Sequence, residues 1–272
     1  MTPWVLITGG AVRLGRELCL AFARAGWNVV CHYQTSEQQA MAVADAVRQL
    51  GRQAATVQGT LDREDSVQAI FEATGLAADM HLRAVVNNAS RFDPDTASNF
   101  DDAALRGQLQ ANLLAPIQLG RLLHAYALRI EGNATDAPNG AFSLIHVLDQ
   151  KVFNLNPDYF SYTLSKLALE RAVVQQAQAL APLLRVNGIA PGLMYPSGPQ
   201  SAENFALASQ ANLLQQSIDP AQVAQTAVFL AQNTCITGAR ICVDNGQHLV
   251  ALPRDVLFLV DELLAKAQHD PL

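Results

Sequence analysis

The sequence has little charge and no surplus of basic residues. Only 15% of its 272 residues are charged, and the formal net charge is −6. Acidic and basic residues alternate along the chain without a basic run. Because nucleic acids and anionic membranes attract clustered lysine and arginine, we predict that neither is a partner of this protein.

Cysteine is also scarce. The four cysteines, Cys19, Cys31, Cys235 and Cys242, show no C-x-x-C spacing, and the sequence has no clustered histidines. All four fall in apolar patterns that are typical of a helix or a strand. We therefore interpret them as buried structural thiols, and we predict neither a metal site nor a redox motif.

Long apolar runs, signal-peptide features and linkers are missing as well. No run approaches the roughly 20 residues of a membrane span, and Met1-Thr2-Pro3-Trp4 leads directly into an apolar strand. We therefore expect a cytoplasmic protein. Because no Pro/Gly/Ser-rich stretch divides the chain, we expect residues 1–272 to form one domain.

What the sequence does have is an alternation of short apolar runs with longer amphipathic ones. This alternation is typical of βαβ units and predicts an α/β fold with a parallel sheet. Seven strands are predicted: Trp4–Thr8, Asn28–Tyr33, Ala54–Gln58, Ala84–Asn88, Ala141–Leu148, Arg185–Ala190 and Arg240–Val243.

The expected helix boundaries support this prediction. The first helix should run from about Arg13 to Ala25 and end before Gly26. The second should open with the capping-box pattern Ser36-Glu37-Gln38-Gln39 and end at Gly51. Asp219-Pro220 predicts a later helix with a carboxylate cap and proline at its first position.

A glycine-rich turn follows the first strand. It consists of Thr8-Gly9-Gly10-Ala11-Val12-Arg13-Leu14-Gly15 and leads into the first helix. Glycines let the backbone approach a pyrophosphate, and the helix N-terminus supplies free N–H groups and a partial positive charge. The turn therefore predicts a dinucleotide phosphate site, with an ordinary tight turn as the alternative.

The end of the second strand bears on the choice of dinucleotide. Folds that prefer NAD usually place Asp or Glu there to bind the ribose 2′-hydroxyl, whereas the segment Cys31–Ser36 contains no acid. Arg13, His32 and Ser36 could instead receive the 2′-phosphate of NADP. The sequence therefore favours NADP, and basic side chains that are merely solvated are the alternative.

Tyr162 and Lys166 lie four residues apart in a long helical pattern. Residues at this spacing share a helix face, so Lys166 can lie beneath the ring of Tyr162. A nearby ammonium group stabilises phenolate and lowers the pKa of the tyrosine, which favours proton transfer at neutral pH. The pair alone could also be a solvated helix face.

Five motifs occur together in one order: Thr8–Gly15, Asn87-Asn88-Ala89, Asn112, Tyr162-x-x-x-Lys166 and Asn187–Gly192. From about residue 3 to 249 the chain resembles the short-chain dehydrogenase/reductase family. The resemblance implies a Rossmann-type doubly wound fold, with a seven-stranded parallel sheet and helices on both faces. It also implies that Tyr162 donates the proton, that Lys166 lowers the pKa of Tyr162 and holds the nicotinamide ribose, and that Asn112 anchors a water.

The same resemblance implies NADPH as the cofactor. The cofactor-binding residues that it implies are Gly9, Arg13, Leu14, Gly15, His32, Tyr33, Gln34, Ser36, Thr60, Leu61, Asn88, Ala89, Ser90, Tyr162, Lys166, Pro191, Gly192 and Leu193. Thr60 stands where the family usually has an aspartate that meets the adenine amino group. We expect this contact to be weaker here or to be made by the hydroxyl.

Three positions depart from the usual family pattern. Arg13 and Ser90 stand where most members have glycine, and Asp149 stands where most have serine or threonine. These departures resemble the pteridine reductases, in which Asn-Asn-Ala-Ser-x-Phe replaces Asn-Asn-Ala-Gly and an aspartate lies thirteen residues before the tyrosine. The resemblance implies substrate contacts by Arg13, Ser90, Phe92, Asp149 and Tyr162.

The chemistry of a pterin ring fits these residues. Reduction of a C=N bond needs hydride at carbon and a proton at the neighbouring nitrogen, which a carboxylic acid coupled to a tyrosine can supply. The resemblance also implies that the pterin lies between the nicotinamide and Phe92. Each residue has an alternative interpretation: Asp149 as a helix cap or loop residue, Phe92 as ordinary core and Arg13 as the partner of a nearby acid.

The functional prediction is therefore NADPH-dependent reduction of a dihydropterin, such as dihydrobiopterin, dihydromonapterin or dihydrofolate. A reductase of ordinary ketones or quinones is the alternative enzyme. A non-catalytic NADP-binding regulator is the alternative from another class. Such regulators typically lose the tyrosine or the lysine, whereas this chain keeps both.

Three segments lie outside these motifs. Glu131–Gly140 is expected to be a surface loop, and residues 193–217 are expected to cover the substrate. The tail, residues 252–272, either packs on its own domain or crosses a subunit interface. Because the resembling reductases are tetramers whose C-terminus reaches a neighbour's site, we expect a homotetramer with Arg254 near such a site.

Overall fold

The computed structural model describes residues 1–75, 81–131, 140–198 and 200–269. Within these ranges the strands are β1 (Trp4–Ile7), β2 (Asn28–Tyr33), β3 (Ala54–Gln58), β4 (Leu82–Asn87), β5 (Phe142–Val147), β6 (Leu184–Pro191) and β7 (Arg240–Val243). The helices are α1 (Arg13–Arg24), α2 (Glu37–Gln49), α3 (Glu64–Gly75), α4 (Asp102–Leu109), α5 (Ala115–Glu131), α6 (Phe160–Ala179), α7 (Ala202–Ala208), α8 (Pro220–Gln232) and α9 (Val256–His269).

The strands form one parallel sheet in the order β3-β2-β1-β4-β5-β6-β7. The predicted seven-stranded sheet is confirmed, and every predicted strand boundary lies within two residues of the observed one. The chain order reverses at β1, which pairs with β2 on one side and with β4 on the other. A cleft for ligands opens at such a reversal, beyond the carboxyl ends of the strands.

Alternating residues of β1 face two separate hydrophobic layers. Val5 and Ile7 pack with residues of α1, α2 and α8, whereas Trp4 and Leu6 pack with residues of α3, α5 and α6. This follows from the two-residue period of a strand, which directs successive side chains to opposite faces of the sheet. The predicted doubly wound fold with helices on both faces is therefore confirmed.

Helices α8 and α2 both begin where the sequence predicts. Asp219 caps α8, because its side chain accepts a hydrogen bond of 2.9 Å from the Ala221 N–H, and Pro220 is the first helical residue. Helix α2 begins after Ser36 as predicted, but the Ser36 side chain makes no capping hydrogen bond. The capping-box interpretation is therefore wrong for Ser36, although the boundary is right.

The interpretation of the cysteines is correct only in part. Cys19 and Cys31 are buried and Cys242 is partly buried, but Cys235 is exposed. Cys235 lies between α8 and β7 and not inside an apolar element. A short apolar context in the sequence therefore does not show that a side chain reaches the core.

The tail folds back onto its own chain. Val256 and Val260 of α9 form a small hydrophobic cluster with Ala208 of α7. This is the first of the two arrangements expected for the tail. The surface loop predicted at Glu131–Gly140 falls mostly on residues 132–139, which lie outside the described residues.

Among the described helices, none is long and apolar enough to cross a membrane.

Candidate active site

A cavity of about 530 Å³ lies at the carboxyl ends of the strands, where the strand order reverses. This volume is in the usual range for a small-molecule or cofactor site. The cavity is lined by the glycine-rich turn, by the segments after β2 to β6, and by Tyr162 and Lys166 of α6. The fold thus brings the distant sequence motifs to one place.

The glycine-rich turn forms one end of the cavity. Gly9 has a φ of +62°, which favours glycine, and a Cβ added to Gly15 would overlap the carbonyl group of Gly9. The turn therefore leaves its backbone bare just before α1 begins at Arg13. Bare backbone beside a helix N-terminus is the arrangement that holds a pyrophosphate, so the residues present fit a dinucleotide.

Asn88 and Thr8 fasten this turn to the neighbouring strand. The Asn88 side chain donates to the carbonyl oxygens of Thr8 and Gly9, at 2.9 and 3.2 Å. In return, the Thr8 hydroxyl accepts hydrogen bonds from the backbone N–H groups of Asn88 and Ala89, at 2.9 and 3.0 Å. These four bonds fasten the glycine-rich turn after β1 to the segment after β4.

His32 supports the same turn from below. It is buried, its Nδ1 accepts from the Gly9 N–H at 3.1 Å, and its Nε2 lies 3.2 Å from the carbonyl oxygen of Gly59. Burial lowers the pKa of His32 to about 4, so the ring is neutral at neutral pH. In this structure His32 positions the turn through both ring nitrogens, and its expected contact with the 2′-phosphate stays a prediction.

Most of the predicted cofactor residues line the cavity, but four do not. Tyr33, Ser36, Thr60 and Leu193 are outside its wall. The Thr60 hydroxyl instead interacts with Gln34 and with the backbone N–H of Asp62, at 3.5 and 3.2 Å. Asp62 itself lines the cavity, so an acid is present near the site that Thr60 was expected to occupy.

Tyr162 and Asp149 meet in the middle of the cavity wall. The Tyr162 hydroxyl donates a hydrogen bond of 2.8 Å to Oδ2 of Asp149, and Oδ1 of Asp149 accepts one of 2.8 Å from the Lys151 N–H. Asp149 is thus also the cap of a short 3₁₀ turn, Gln150–Val152. The expected convergence of the carboxylate on the phenol is present, and capping accompanies it.

Lys166 lies beneath Tyr162, as its spacing predicts. Its Nζ is 5.7 Å from the centre of the Tyr162 ring and donates to the carbonyl oxygen of Val147 at 2.7 Å. Lys166 is buried, and burial lowers its pKa to about 8. The side chain therefore carries a poorly solvated ammonium group close to the pair formed by Tyr162 and Asp149.

Both members of this pair hold their protons more tightly than usual. Burial is the largest cause of the raised pKa of Asp149, which the Lys151 N–H and the Lys151 charge partly oppose. Burial also raises the pKa of Tyr162 well above its ordinary value, and the neighbouring Asp149 adds to this. The net shift of the Tyr162 pKa is upward because of desolvation and the neighbouring carboxylate, and the expected lowering contribution of Lys166 stays a prediction.

Phe92 forms an aromatic wall beside the Tyr162–Asp149 pair. Its ring stacks on that of Tyr159 at 4.1 Å between centroids, with the planes 17° apart, and it meets the Tyr162 ring edge-on at 4.6 Å. Phe92 remains 37% exposed, so it is not an ordinary core residue. Ser90 and Arg91, on the same segment, also line the cavity.

Asn112 lies behind this wall and does not line the cavity. It occupies a π-helical turn, Gln110–Leu114, between α4 and α5. Its side chain accepts from the Arg91 N–H at 2.8 Å and donates to the Arg91 carbonyl oxygen and the Ser165 hydroxyl, both at 3.0 Å. Asn112 thus fixes the segment that carries Phe92.

Arg13 reaches across the cavity to the segment after β6. Its guanidinium group donates to the carbonyl oxygen of Pro196 at 2.6 Å and lies 5.6 Å from the centre of the Tyr195 ring. Arg13 therefore contacts the segment after β6 and has no acid as its partner in these contacts. Tyr195 and Met194 line the cavity beside it.

Several lining residues were missed by the sequence analysis. They are Val12, Gly59, Asp62, Arg91, Ala111, Val147, Leu148, Met194 and Tyr195. Most are direct neighbours of predicted residues at strand ends, so extending each motif by one or two residues would have found them. Met194 and Tyr195 follow the Pro-Gly turn but belong to a segment without a diagnostic pattern.

Comparison with known protein families identifies the family of this chain. The model of the family described as enoyl-(acyl carrier protein) reductase matches residues 10–248. The chain therefore belongs to this family of short-chain dehydrogenases/reductases. The predicted family membership is confirmed.

Three similar proteins show which reductases the chain resembles. The chain is 28% identical to a dihydromonapterin reductase of Citrobacter koseri, over 90% of this chain and 96% of the relative. It is 33% identical to the FolM alternative dihydrofolate reductase 1 of Brucella suis, solved in complex with NADP, over 91% of this chain and 95% of that one, with a TM-score of 0.80. It is also 26% identical to the angucycline C-6 ketoreductase LanV with bound NADP, over 91% and 96% of the two chains, with a TM-score of 0.79.

Proposed function

We propose that the protein is an NADPH-dependent reductase of a pterin ring, with a dihydropterin such as dihydromonapterin or dihydrofolate as substrate. The observation that carries this proposal is the buried hydrogen bond of 2.8 Å between Tyr162 and Asp149, in a dinucleotide cavity beside Phe92. Similarity to a dihydromonapterin reductase and to an alternative dihydrofolate reductase supports it.

NADP(H) is the cofactor that the cavity fits best. No acid follows β2 to bind a ribose 2′-hydroxyl, and two of the similar solved structures hold NADP. When bound, NADPH supplies the hydride. Gly9, Gly15 and the start of α1 would hold its pyrophosphate, Lys166 its nicotinamide ribose, and Gly192 and Pro191 would border the nicotinamide.

The catalytic pair supplies the proton. Because burial raises the pKa of Asp149, the pair retains a proton at pH values where an exposed carboxyl has lost it. Tyr162 and Asp149 both line the cavity and share a hydrogen bond, so a proton of the pair can pass through the Tyr162 hydroxyl to a ring nitrogen. Lys166 then stabilises the negative charge left on the pair.

Phe92 and Arg13 fit the binding of a flat, polar ring. The exposed part of the Phe92 ring offers a stacking surface, while Tyr159 supports its other face. Stacking of this kind contributes roughly 0.5–1.5 kcal/mol beyond the burial of area. Arg13 holds Pro196 and faces Tyr195, so it fixes the segment that covers the ring.

Reduction of a ketone is the second candidate, because the chain is also similar to a ketoreductase. A carbonyl group needs one hydroxyl donor at its oxygen, and a serine usually supplies a second one. Asp149 replaces that serine with a carboxyl group whose pKa is raised by burial. This feature suits a ring nitrogen better than a carbonyl oxygen.

A substrate panel separates the two candidates. NADPH oxidation is followed with dihydromonapterin, dihydrobiopterin, dihydrofolate, an oxidised pterin and several small ketones. We expect turnover with at least one dihydropterin and little with ketones. Rapid oxidation with ketones and none with any dihydropterin would contradict the proposal.

We also propose a cytoplasmic homotetramer. The tetrameric assembly of the resembling pteridine reductases supports it. The mass of the protein in solution, measured by light scattering, tests the assembly, and a monomer would contradict it.

A further inference from the structure

Lys151 is a buried cation two residues after the catalytic carboxylate. Its side chain is only 3% exposed, and its Nζ lies 2.8 Å from Oδ2 of Asp255 and 2.9 Å from Oδ1 of Asn156. A buried ammonium group is costly unless a carboxylate neutralises it. Asp255 belongs to the tail and stands directly before α9. The tail therefore supplies the counter-ion of a residue that lies two positions beyond the cavity wall, which ends in this segment at Asp149.

The backbone of the same lysine holds the catalytic carboxylate. The Lys151 N–H donates to Oδ1 of Asp149 at 2.8 Å, while Oδ2 of Asp149 accepts from the Tyr162 hydroxyl at 2.8 Å. The carboxylate is thus fixed from two sides. A displacement of the Lys151 backbone would rotate Asp149 and weaken its bond to Tyr162.

The tail also closes on the start of α6. Arg254 donates two hydrogen bonds to the Asp158 carboxylate, at 3.1 and 3.0 Å, and the Asp255 N–H donates a third at 2.8 Å. The ring of Phe258 lies 5.9 Å from that of Tyr159, which has a left-handed backbone with a φ of 56°. These contacts hold the tail against the loop that joins Lys151 to α6.

We propose that Asp255 is a positioning residue for the reaction, which pairs with Lys151 and thereby sets the Asp149 carboxylate against the Tyr162 hydroxyl. The proposal rests on the proposed function of the Asp149–Tyr162 pair. Asp255 touches neither the substrate site nor the cofactor site, because it is absent from the wall of the cavity among the described residues. It acts through Lys151.

The charged groups that face the pair are Lys151 after β5, Lys166 on α6 and Asp255 in the tail. Beside the larger effect of burial, the two lysines lower the pKa of Asp149, and Asp255 raises the pKa of Tyr162. Loss of the Asp255 charge leaves Lys151 without its counter-ion and removes an anion near Tyr162. Both changes make the pair release its proton at a lower pH.

The test is the pH profile of kcat for Asp255→Asn in the full-length protein, with saturating NADPH and substrate. Because activity requires a protonated donor, kcat falls on the alkaline side as the pair loses its proton. We expect a kcat roughly ten-fold below wild type, an alkaline limb at lower pH and an unchanged KM for NADPH. Asp261→Asn on α9 keeps an oxygen toward Asn204 and does not touch Lys151, so it should retain the wild-type profile.

Lys151→Met is the second variant. It removes the cation that lowers the pKa of Asp149, so its alkaline limb should move to higher pH. Shifts of opposite sign in the two variants support the proposal. A wild-type profile for Asp255→Asn, or a lower kcat with an unshifted limb, overturns it. Should Asp255→Asn fail to fold, an unshifted limb in Lys151→Met overturns it equally.

Failure of the proposed function would be visible separately, in the wild-type protein. If the wild type reduced only ketones, the pterin assignment would fall. The profiles of the variants would then be recorded with the ketone that is reduced. The positioning role of Asp255 is judged from the ratio of variant to wild type on one substrate, whichever substrate that is.

Discussion

A carboxyl group and a phenol share one hydrogen bond in the cavity wall. Burial raises the pKa of both, and Asp149 raises the pKa of Tyr162 further, whereas the hydrogen bond from Tyr162 lowers the pKa of Asp149. In water such a pair would gain little from proximity, because solvent screens their interaction. Burial makes the interaction stronger and favours the protonated forms. At the scale of single residues, the active site is therefore built to keep a proton available.

Asp149→Asn tests this at the catalytic pair. The amide retains the shape but carries no transferable proton, and its single oxygen can take the place of Oδ2 toward Tyr162 or of Oδ1 toward the Lys151 N–H, but not of both. We expect kcat/KM for the dihydropterin to fall about 100-fold, with NADPH affinity retained by fluorescence titration. Asp45→Asn, an exposed replacement on α2, is the control and should keep wild-type activity. Equal activity of Asp149→Asn and wild type would remove the carboxyl from the mechanism.

Phe92→Ala tests the aromatic wall. Loss of the stacking surface should raise KM for the dihydropterin about ten-fold, and NADPH affinity should change little. Phe100 offers a matched control, because it is also 37% exposed but packs against Phe160. If Phe100→Ala raised KM as much as Phe92→Ala, the effect would come from general loss of packing.

Some roles of single residues could be predicted from the sequence, whereas others depended on the fold. The resemblance to the pteridine reductases implied that Asp149 and Tyr162 act together, and the two side chains do meet. His32 could not be placed, because nothing in its neighbours shows that both ring nitrogens bind backbone atoms. The direction of the pKa shift of Tyr162 also depends on desolvation, which a spacing does not reveal.

At the scale of elements, the glycine-rich turn joins the short strand β1 to the N-terminus of α1. Its geometry depends on the backbone of Gly15 passing directly against Gly9, where an added Cβ has no room. The bonds from Asn88 then tie the turn to β4. The turn is therefore rigid before a ligand arrives, which lowers the entropy cost of binding.

Gly15→Ala should weaken NADPH binding strongly, because the turn must open to admit the methyl group. We expect Kd for NADPH, from fluorescence titration, to rise at least roughly 100-fold, in line with displacement of binding groups by about 1 Å. Gly51→Ala is the matched control. Gly51 has a φ of +76° but open space around it, so the variant should lose about 1 kcal/mol of stability and bind NADPH normally. Similar Kd values for both variants would refute the proposed role of the turn.

The apolar pattern predicted the strands well because each contains a short apolar stretch between turns, as in Val29–Cys31. Two local features were not predictable. The π-helical turn at Gln110–Leu114 depends on how α4 meets α6, and no residue type signals it. Helix α2 has no capping hydrogen bond from the Ser36 side chain, although the sequence pattern allows one. The backbone of Ser36 there has a φ of −91° and a ψ of 58°.

At the scale of the whole molecule, two histidines are buried in neutral form. His32 lies on β2 and His146 lies on β5, and burial lowers the pKa of each from 6.5 to about 4. Since the folded pKa is below the unfolded one, the stabilisation is complete above pH 6.5 and is lost as pH falls towards 4. Each histidine contributes on the order of 3 kcal/mol over this range.

We therefore expect the free energy of unfolding, from denaturant titrations, to fall by several kcal/mol between pH 6.5 and 4. His146→Asn should flatten this dependence by about half, even if it lowers stability at neutral pH. His124→Asn, at a partly exposed position on α5, is the control and should leave the slope unchanged. An unaltered slope in His146→Asn would show that other groups govern acid unfolding.

The position of the tail could not be predicted, because its apolar run fits either a neighbouring subunit or its own domain. In the structure, Arg254 binds its own domain, because its guanidinium group donates two hydrogen bonds to the Asp158 carboxylate. The expectation of a single domain for residues 1–272 and that of a tetramer remain predictions. Neither follows from the contacts within one chain.

The exposure of Cys235 has a practical consequence. Cys19 and Cys31 are shielded in the core and Cys242 is partly covered, so a maleimide dye should react first with the thiol between α8 and β7. A fluorophore at that position, remote from the cavity wall, would report on tumbling and assembly while leaving turnover intact. The protein thus carries a natural attachment point for spectroscopy.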